Sequence, residues 1–317
     1  MSALVAELRA ARCDVEENAP LAPRTSVRVG GPAKLLVRPP DADAVAAALR
    51  LCASAGVAVL ALGGGANCIV GDAGVDGCVL KLGGAFATIG EPVYGGARVL
   101  IEAGAGASSR RIATLTRERG LVGAEFIAGI PGTLGGMVAM NAGTRSGEMS
   151  EILEAVEIAT AAGARWLPAK DLRLAYRHSE LPPGGVVTRV RLALRQGSPE
   201  EAAASAQAMD KDRDYRKATQ PLSLPNSGSV FANPPGDFAG RLIEACGLKG
   251  RALGAAQLSP VHANWIVNLG GARASDVVGL MALAKREVRS HFGVALRPEV
   301  KLIGTFEPPL PPELLEA

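Results

Sequence analysis

The chain has 317 residues, of which 48% are hydrophobic and 21% charged, so it can hold two or three domains and is too apolar to be disordered throughout. The formal net charge of +3 comes from scattered basic residues, and only 3% of the residues are aromatic, which argues against a nucleic-acid-binding surface. Five cysteines without a CxxC pair argue against a disulfide framework and a zinc site, so no metal is expected.

The N-terminal apolar stretch is interrupted by Glu7 and Arg9, which favours a short amphipathic helix over a secretory signal. No apolar run reaches the ~18 residues of a membrane span. We therefore expect a soluble, cytoplasmic protein without a membrane or nucleic-acid partner, and we take it to be a monomer.

The first elements in chain order predict an α/β unit. Residues 1–18 are expected to be helical, and a strand follows over 34–38. Asp41 is the expected N-cap of a helix with apolar residues on one face, and Gly56 ends that helix. An apolar strand over 57–62 then runs directly into consecutive glycines.

The middle of the chain is expected to consist mainly of strands. Strands over 78–82 and 98–103 precede a helix over 108–119. A long glycine-rich segment follows. Three more strands are predicted, over 152–160, 165–167 and 186–194, and the last has the alternating pattern of a half-buried strand.

A polar Gly-Ser-Pro break over 196–200 is the best candidate for a domain boundary. After it we expect a separate α+β unit over 200–304 and a Pro-rich tail over 305–317. The elements predicted for this part are a helix over 199–217, a loop over 220–235, a helix over 237–246 capped by Asp237, a strand over 264–268, a helix over 275–292 capped by Ser275, and a strand over 299–303.

The loop Gly63, Gly64, Gly65, Ala66, Asn67 is a candidate phosphate site. Consecutive glycines after a strand expose backbone N–H groups in a concave nest, which suits a pyrophosphate. The loop lacks a following Gly-Lys-Ser/Thr and the GxGxxG spacing, so it matches neither nucleotide fingerprint. From these residues alone, a plain tight turn is an equal alternative.

A second candidate is the segment over residues 123–143, which contains six glycines. No charged residue lies between Glu125 and Arg145, and Pro131 helps to exclude an ordinary helix. The pattern predicts a buried, tightly turning backbone that approaches something closely. We interpret it as a cradle for a phosphate-bearing or planar cofactor, with a glycine-rich packing element as the alternative.

Seven segments, each weak alone, occur in an order that is highly specific. They are GGGANCIVGDAG, GAEFIAGIPGTLGGMVAMNAG, AYRHS, NSGSVFANP, GLKG, HANWIVN and RPEVKLIG. Over residues 20–304 the chain therefore resembles the UDP-N-acetylenolpyruvoylglucosamine reductases, flavoenzymes of bacterial peptidoglycan precursor synthesis. The short distance from Ser179 to Pro199 resembles the shorter type of this family, which lacks an inserted tyrosine loop.

The resemblance implies an α+β fold with an FAD-binding domain like that of vanillyl-alcohol-oxidase-type flavoproteins. That domain would have two subdomains, 1–75 and 76–196, followed by a substrate-binding domain over 200–304. The resemblance also implies noncovalent FAD, NADPH and a UDP-linked enolpyruvyl amino sugar. NADPH would give a hydride to flavin N5, from which it would pass to the enol-ether double bond, giving UDP-N-acetylmuramate for cell wall biogenesis, cell shape and cell division.

Three residues match catalytic positions of the family. Arg177 would stabilise the enolate that forms at the substrate carboxylate, and Glu299 would pair with the same carboxylate. Ser229 would donate the proton, although a hydroxyl is a poor acid unless a cation or a proton relay stabilises the alkoxide. The alternatives are a surface ion pair for Arg177, a solvated Glu299, and a turn residue at Ser229.

The resemblance further implies two sets of binding residues. The flavin pyrophosphate would lie on residues 63–67, and the rest of the flavin would lie along Gly123, Gly129, Ile130, Pro131, Gly132, Thr133, Gly136, Asn141, Ala142 and Gly143. The substrate would meet Tyr176 and Asn233, and the candidate cations for its diphosphate are Arg213, Arg216, Lys217 and Lys249.

Two rival functions are open from the sequence. One is a related flavin-dependent oxidase of another substrate, which would not need Ser229. The other is a flavin-binding protein without turnover. Arg177, Ser229 and Glu299 all occur in the settings expected for the reductase, and this favours the reductase.

Overall fold

The computed structural model describes residues 1–315, and the chain packs as two units. Unit 1 comprises Met1–Glu17, Leu35–Gly64 and Gly77–Tyr215. Unit 2 comprises Asn18–Lys34, Gly65–Asp76 and the chain from Arg216 onward. Both units are built from segments far apart in sequence. The predicted division into 1–75, 76–196, 200–304 and a 305–317 tail stays a prediction, and residues 316 and 317 lie outside the described residues.

The α-helices of the described chain are α1 Ser2–Ala10, α2 Ala42–Ser54, α3 Ser109–Glu118, α4 Leu134–Ala139, α5 Met149–Ile152, α6 Pro199–Thr219, α7 Ala239–Ala245 and α8 Ala274–Phe292. Short 3-10 helices lie at Ala22–Arg24, Gly84–Ala87, Glu125–Gly129, Ala169–Leu172 and Pro312–Leu314. None of the helices within residues 1–315 is both long and apolar enough to cross a membrane.

The strands are β1 Asp14–Pro20, β2 Pro32–Arg38, β3 Val59–Leu62, β4 Cys68–Val70, β5 Val75–Lys81, β6 Val93–Gly95, β7 Arg98–Gly104, β8 Leu121–Val122, β9 Gly143–Thr144, β10 Gly147–Glu148, β11 Leu153–Thr160, β12 Gly163–Pro168, β13 Val186–Gln196, β14 Asn226–Ser229, β15 Ala252–Leu253, β16 Ala256–Leu258, β17 Trp265–Asn268 and β18 Lys301–Ile303.

A four-stranded sheet with the order β1-β2-β5-β3 lies mostly in unit 1. Strands β3 and β5 pair in parallel, and the chain between them includes β4. Buried residues of α1, α2 and this sheet form one core, for example Leu8, Val45 and Leu80. Helix α2 begins as predicted, because the Asp41 side chain accepts a hydrogen bond of 2.9 Å from Ala44 N.

The largest sheet of unit 1 is antiparallel, with the order β12-β11-β13-β7-β6 and β8 paired to β13. Its apolar face shares a core with α3 and with the glycine-rich segment. Ile101, Ile112, Phe126 and Leu192 are among the fully buried members. Burial of each such side chain stabilises the fold by roughly 1.5–3 kcal/mol, so this core anchors the glycine-rich segment on the sheet.

Unit 2 contains the antiparallel sheet β14-β17-β16-β15 and the parallel pair β4 and β18. Helix α8 supplies a large part of its core, including Val277, Met281 and Val288. Gly293, with φ of +68°, ends α8 as predicted, since glycine adopts this left-handed conformation without steric cost.

The predicted helix over 1–18 is correct only in its first part. Helix α1 ends at Ala10, and Asp14–Pro20 forms β1. Arg12 has a φ of +67° and turns the chain. Val15 can then join the core as a strand residue, so tertiary packing prevails over local helix propensity.

Three local predictions in unit 2 are wrong. The predicted loop over 220–235 contains strand β14. Asp237 does not cap α7, because Ala239 N donates to Asn233 Oδ1 at 3.1 Å while Asp237 pairs with Arg241. Ser275 does not cap α8, which begins one residue earlier.

The start of α6 gives a stability prediction. Glu201 N donates to Ser198 Oγ at 3.2 Å and Ser198 N donates to Glu201 Oε2 at 2.8 Å, which is a capping box. We expect Ser198→Ala to lower the free energy of unfolding by about 1 kcal/mol in urea denaturation, because a helix N–H loses its acceptor. Ser198→Thr should retain most of this stability, and an unchanged midpoint for Ser198→Ala would contradict the capping role.

The same box predicts a pH dependence. Hydrogen bonds from the Arg195 guanidinium and from Ser198 N lower the pKa of Glu201 to about 2. Because the pKa is lower in the folded state, the stabilisation is complete above about pH 4.5 and is lost as the pH falls towards 2. The difference in unfolding midpoint between wild type and Glu201→Gln should therefore shrink over that range.

Candidate active site

In unit 1 the first glycines of the loop over 63–67 lie against the glycine-rich segment. A Cβ on Gly63 would come within 2.6 Å of Thr133 Oγ1, and one on Gly64 within 2.9 Å of Gly132 Cα. The Lys81 ammonium donates to the Gly63 carbonyl. Glycine is needed at Gly64 because two backbones approach too closely there for a side chain, while a side chain at Gly63 would collide with the Thr133 hydroxyl.

The Thr133 hydroxyl is buried and has no hydrogen-bond partner within residues 1–315. Thr133 is the N-cap of α4, where a hydroxyl ordinarily accepts a hydrogen bond from the helix, but this one does not. Leaving a buried hydroxyl unbonded costs about 1–3 kcal/mol. An unbonded hydroxyl beside Gly63 and Gly64 is suited to bind the pyrophosphate of a cofactor, because a phosphate oxygen would accept its hydrogen bond.

The glycine-rich segment is more regular than the sequence predicted. It contains the 3-10 helix Glu125–Gly129 and the six-residue helix α4, with Pro131 between them, so no ordinary helix spans the segment, as predicted. Glycine at Gly135 lets α4 pack closely against the residue that follows β7, since a Cβ there would lie 2.9 Å from Ala105 Cβ. Burial is also mixed, for Gly129 is buried and Gly123, Pro131 and Gly136 are exposed.

Several residues predicted to bind the flavin already pack against, or hydrogen-bond to, other protein atoms. A Cβ on Gly143 would lie 2.5 Å from Glu148 Cβ, because the two residues pair in the β9–β10 ribbon. Gly123 N donates to the Glu125 carboxylate, at 3.0 and 3.1 Å. Ile130 N donates to Ile127 O at 3.1 Å, and Ala142 N to Met137 O at 2.8 Å. Flavin contacts at these positions stay predictions.

The Asn141 side chain lies inside the protein and is fully buried. Its Nδ2 donates to Glu148 Oε1 at 3.0 Å and to Ala175 O at 3.2 Å, and its Oδ1 accepts from Ser150 N at 2.9 Å. Both donors of the amide are therefore used. The Asn141 backbone N–H is also used, donating to Val138 O at 3.0 Å, and a contact of Asn141 with the flavin stays a prediction.

Arg177 lies in a tight turn that Ala175 and His178 close with two backbone hydrogen bonds of 3.0 Å. Its φ of +56° is a left-handed conformation that costs a non-glycine residue roughly 1–2 kcal/mol. The Ser179 hydroxyl donates to Val138 O, which fastens the turn to α4. Backbone strain held in place by side-chain hydrogen bonds is typical of functional positions.

The Arg177 guanidinium carbon lies 4.9 Å from the centre of the Tyr176 ring. A cation over an aromatic face is favourable and restricts the rotamers of both side chains. Tyr176 is half exposed, with 51% of its surface accessible. Unit 1 thus contains two groups of predicted site residues. One group is Tyr176, Arg177 and Asn141, and the other is Gly63, Gly64, Gly132 and Thr133.

In unit 2 the structure brings Asn67, Ser229 and Glu299 together. Glu299 N donates to the carbonyl of Val230, the residue after Ser229, at 2.9 Å. Asn67 Nδ2 donates to Glu299 O at 3.3 Å, and Lys301 N donates to Asn67 O at 3.1 Å. These residues come from three separate parts of the chain, and backbone hydrogen bonds fix their spacing.

Ser229 is placed by an irregularity in β14. The strand pairs with β17 at Asn226 and Ser229, and the register shifts between them. Gly228 has a φ of +77°, and its N–H donates to Asn226 Oδ1 at 3.0 Å. A bulge of this kind redirects a side chain next to a site, which is how a residue in an apparent loop acquires a fixed direction.

The four candidate cations differ in their neighbours. Arg213, in unit 1, pairs with Asp210 at 3.1 Å and Asp214 at 3.7 Å. In unit 2, Lys249 pairs with Glu244 at 2.9 Å, and Lys217 is exposed.

Arg216 is half-buried, and its Nε donates to Gln220 Oε1 at 2.8 Å. Burial lowers the pKa of its guanidinium, and the described residues offer it no carboxylate.

Asn233 is exposed, and its side-chain oxygen accepts the hydrogen bond from Ala239 N at the start of α7. Within residues 1–315, no three His, Cys, Asp or Glu side chains are grouped so that they could hold a metal ion.

Comparison with known proteins agrees with this arrangement. A family model for the C-terminal domain of UDP-N-acetylenolpyruvoylglucosamine reductase matches residues 220–303, and a model for an FAD binding domain matches residues 33–166. The UDP-N-acetylenolpyruvoylglucosamine reductase of Myxococcus xanthus (strain DK1622) is 57% identical over 295 residues, covering 93% of this chain and 94% of the relative. The chain belongs to the UDP-N-acetylenolpyruvoylglucosamine reductase family.

Other reductases of the family extend the likeness. That of Anaeromyxobacter sp. (strain Fw109-5) is 55% identical, with 94% of this chain and 91% of the relative covered. The crystal structure of the reductase from Thermus caldophilus superposes with a TM-score of 0.78 at 37% identity, covering 92% of this chain and 99% of the other.

Membership of the UDP-N-acetylenolpyruvoylglucosamine reductase family confirms the predicted family, the mixed fold class and the enzyme class, an FAD-dependent oxidoreductase. The predicted FAD is confirmed in the same way. The residues of unit 1 fit this cofactor, because the Thr133 hydroxyl beside Gly63 is a donor without a partner within residues 1–315, and a phosphate would accept its hydrogen bond.

Proposed function

We propose that this chain reduces the enolpyruvyl double bond of UDP-N-acetylglucosamine enolpyruvate to UDP-N-acetylmuramate, with NADPH as the electron donor. One observation supports the proposal above others. The hydrogen bond from Glu299 N to Val230 O holds the backbone of Glu299 beside the residue that follows the candidate proton donor Ser229. The reaction needs a proton source and a group for the substrate carboxylate at a fixed spacing.

FAD, held noncovalently with Gly63, Gly64 and Thr133 at its pyrophosphate, would carry the hydride from NADPH to the double bond. Arg177 would receive the substrate carboxylate, because a planar guanidinium can donate two parallel hydrogen bonds to it. As negative charge develops there during the reaction, this interaction strengthens. Glu299 would pair with the same carboxylate.

Ser229 would transfer its hydroxyl proton to the carbon next to the one that accepts the hydride. This role requires that a positive charge or a proton relay stabilises the serine oxygen. The main-chain pairing of β14 with β17 keeps the Ser229 backbone fixed, so the hydroxyl has only its own torsion to adjust. Asn233 and Tyr176 would contact the substrate.

In the cell we propose a cytoplasmic monomer. Its product serves peptidoglycan precursor synthesis, and through it cell wall biogenesis, cell shape and cell division.

Among the four candidate cations, we propose that Arg216 is the main contact for the substrate diphosphate. Carboxylates already pair with Arg213 and Lys249, whereas Arg216 is half-buried beside a neutral amide. A partly desolvated guanidinium gains more from an incoming phosphate than an exposed, paired one does.

We expect Arg216→Met to raise the KM for the sugar nucleotide roughly tenfold to a hundredfold, since hydrogen bonds between charged groups are lost. The rate of flavin reduction by NADPH should stay the same. Arg213→Met, on the same helix, is the matched control and should change KM little. Equal KM values for the two variants would contradict the assignment.

The function is tested by NADPH consumption with and without the enolpyruvyl sugar nucleotide, in the absence of oxygen. The proposal predicts rapid consumption only when the sugar nucleotide is present. A related oxidase would turn over only when oxygen is admitted. A flavin-binding protein without turnover would show neither activity.

A further inference from the structure

We propose that Glu148 is a positioning residue for Arg177, with a carboxylate that fixes the direction of the guanidinium. This inference rests on the proposed function, in which Arg177 receives the substrate carboxylate. It assigns a task to an acidic residue that the catalytic motifs do not include.

The first support is a continuous set of hydrogen bonds from Glu148 to the turn that carries Arg177. Glu148 Oε1 accepts from Asn141 Nδ2 at 3.0 Å and also accepts from the Ser150 hydroxyl. The same Asn141 amide donates to Ala175 O at 3.2 Å, at the base of the turn. One fully buried amide thus connects the carboxylate directly to the strained turn.

The second support is the rigidity of the Glu148 backbone. Glu148 pairs with Gly143 in the β9–β10 ribbon, and Met149 N donates to Ala142 O at 3.0 Å. The missing side chain at Gly143 leaves the space in which Glu148 Cβ sits, since a Cβ there would come within 2.5 Å. Glu148 therefore has little freedom to move away from the turn.

The third support is the charge of the pair. The pKa of Glu148 is lowered, first by the Ser150 hydroxyl, then by the Asn141 amide, and then by the positive charge of Arg177. Glu148 is thus ionised at neutral pH and close enough to Arg177 for their charges to attract. The ionised Glu148 carboxylate orients the Arg177 guanidinium, so that the N–H groups not facing Glu148 point away from it.

The test uses Glu148→Gln, which keeps the size and the acceptor for Asn141 and Ser150 but removes the charge. The control is Glu154→Gln, which removes the charge of a carboxylate paired with Arg98 in the same unit. Both flavin-loaded variants are compared with wild type in two half-reactions, flavin reduction by NADPH and reoxidation by the enolpyruvyl sugar nucleotide.

We expect Glu148→Gln to slow reoxidation by about tenfold while reduction stays unchanged. Glu154→Gln should change neither half-reaction. A role in folding alone would lower the midpoint and affect both half-reactions together, which would overturn the proposal. Reoxidation at the wild-type rate in Glu148→Gln would also overturn it.

A second measurement does not depend on catalysis. The carboxyl pKa of Glu148, followed by carbon NMR in wild type and in Arg177→Met, should rise when the guanidinium is removed. An unchanged pKa would overturn the proposed contact. If wild type itself fails to reoxidise with the sugar nucleotide, the proposed function fails, while this titration still decides whether Glu148 and Arg177 interact.

Discussion

Ser229→Ala is expected to slow reoxidation of the flavin by the enolpyruvyl sugar nucleotide roughly 10²- to 10⁴-fold, the usual contribution of a positioned acid. Reduction of the flavin by NADPH should be nearly unchanged, because that half-reaction does not use the serine proton. The substitution removes one oxygen from a half-buried residue, and β14 is held by backbone pairing, so the fold should tolerate it.

The two half-reactions are measured separately by stopped-flow absorbance in the absence of oxygen. Ser223→Ala, an exposed serine shortly before the same strand, is the control and should behave as wild type. If Ser229→Ala reduces slowly and reoxidises normally, Ser229 is not the proton donor.

Thr133→Val is expected to change two properties in opposite directions. Valine has the same shape as threonine without the buried hydroxyl that lacks a partner within residues 1–315. The FAD-free protein should gain up to about 1–3 kcal/mol in free energy of unfolding, because an unsatisfied buried group is removed. The Kd for FAD should rise roughly tenfold to a hundredfold, because the hydrogen bond to a charged phosphate is lost.

Urea denaturation of FAD-free protein and titration with FAD measure the two effects of Thr133→Val. Thr133→Ser keeps the hydroxyl and should retain most of the affinity. A variant that is more stable but binds FAD as tightly as wild type would show that the hydroxyl does not face the phosphate.

The elements with strong apolar periodicity could be predicted from the sequence. Helices α2 and α3 and strands β7 and β13 lie within a few residues of their predicted ends, because local pattern and burial agree there. Strand β14 was missed because Asn226–Ser229 has no apolar alternation, and its pairing depends on a bulge.

The start of α8 shows why local signals fail at some helix ends. Asp72 Oδ1 accepts from Ala274 N at 2.8 Å, and Asp72 Oδ2 accepts from Ser275 N at 2.9 Å. The capping carboxylate therefore comes from a residue 202 positions earlier in the chain. A search for a cap next to the helix chose Ser275, the best local candidate, and could not find Asp72.

Some residues of the candidate site could likewise be predicted from the sequence and others could not. Gly63 and Gly64 could be predicted because close packing excludes a side chain at both, and consecutive glycines are visible in the sequence. The role of Glu148 could not be recognised, since it depends on contacts of Asn141 with a turn 34 residues away. Glycine is required at Gly143 because a side chain there would collide with Glu148 Cβ. A contact between Gly143 and a cofactor stays a prediction.

The central claim is that one bound flavin takes electrons from NADPH and passes them to the enolpyruvyl sugar nucleotide. The most direct test is a single turnover without oxygen, in which the wild-type protein is reduced with equimolar NADPH and the sugar nucleotide is then added. We predict that the absorbance of oxidised flavin returns as product forms in an amount equal to the flavin. A flavin that stays bleached until oxygen is admitted would contradict the account.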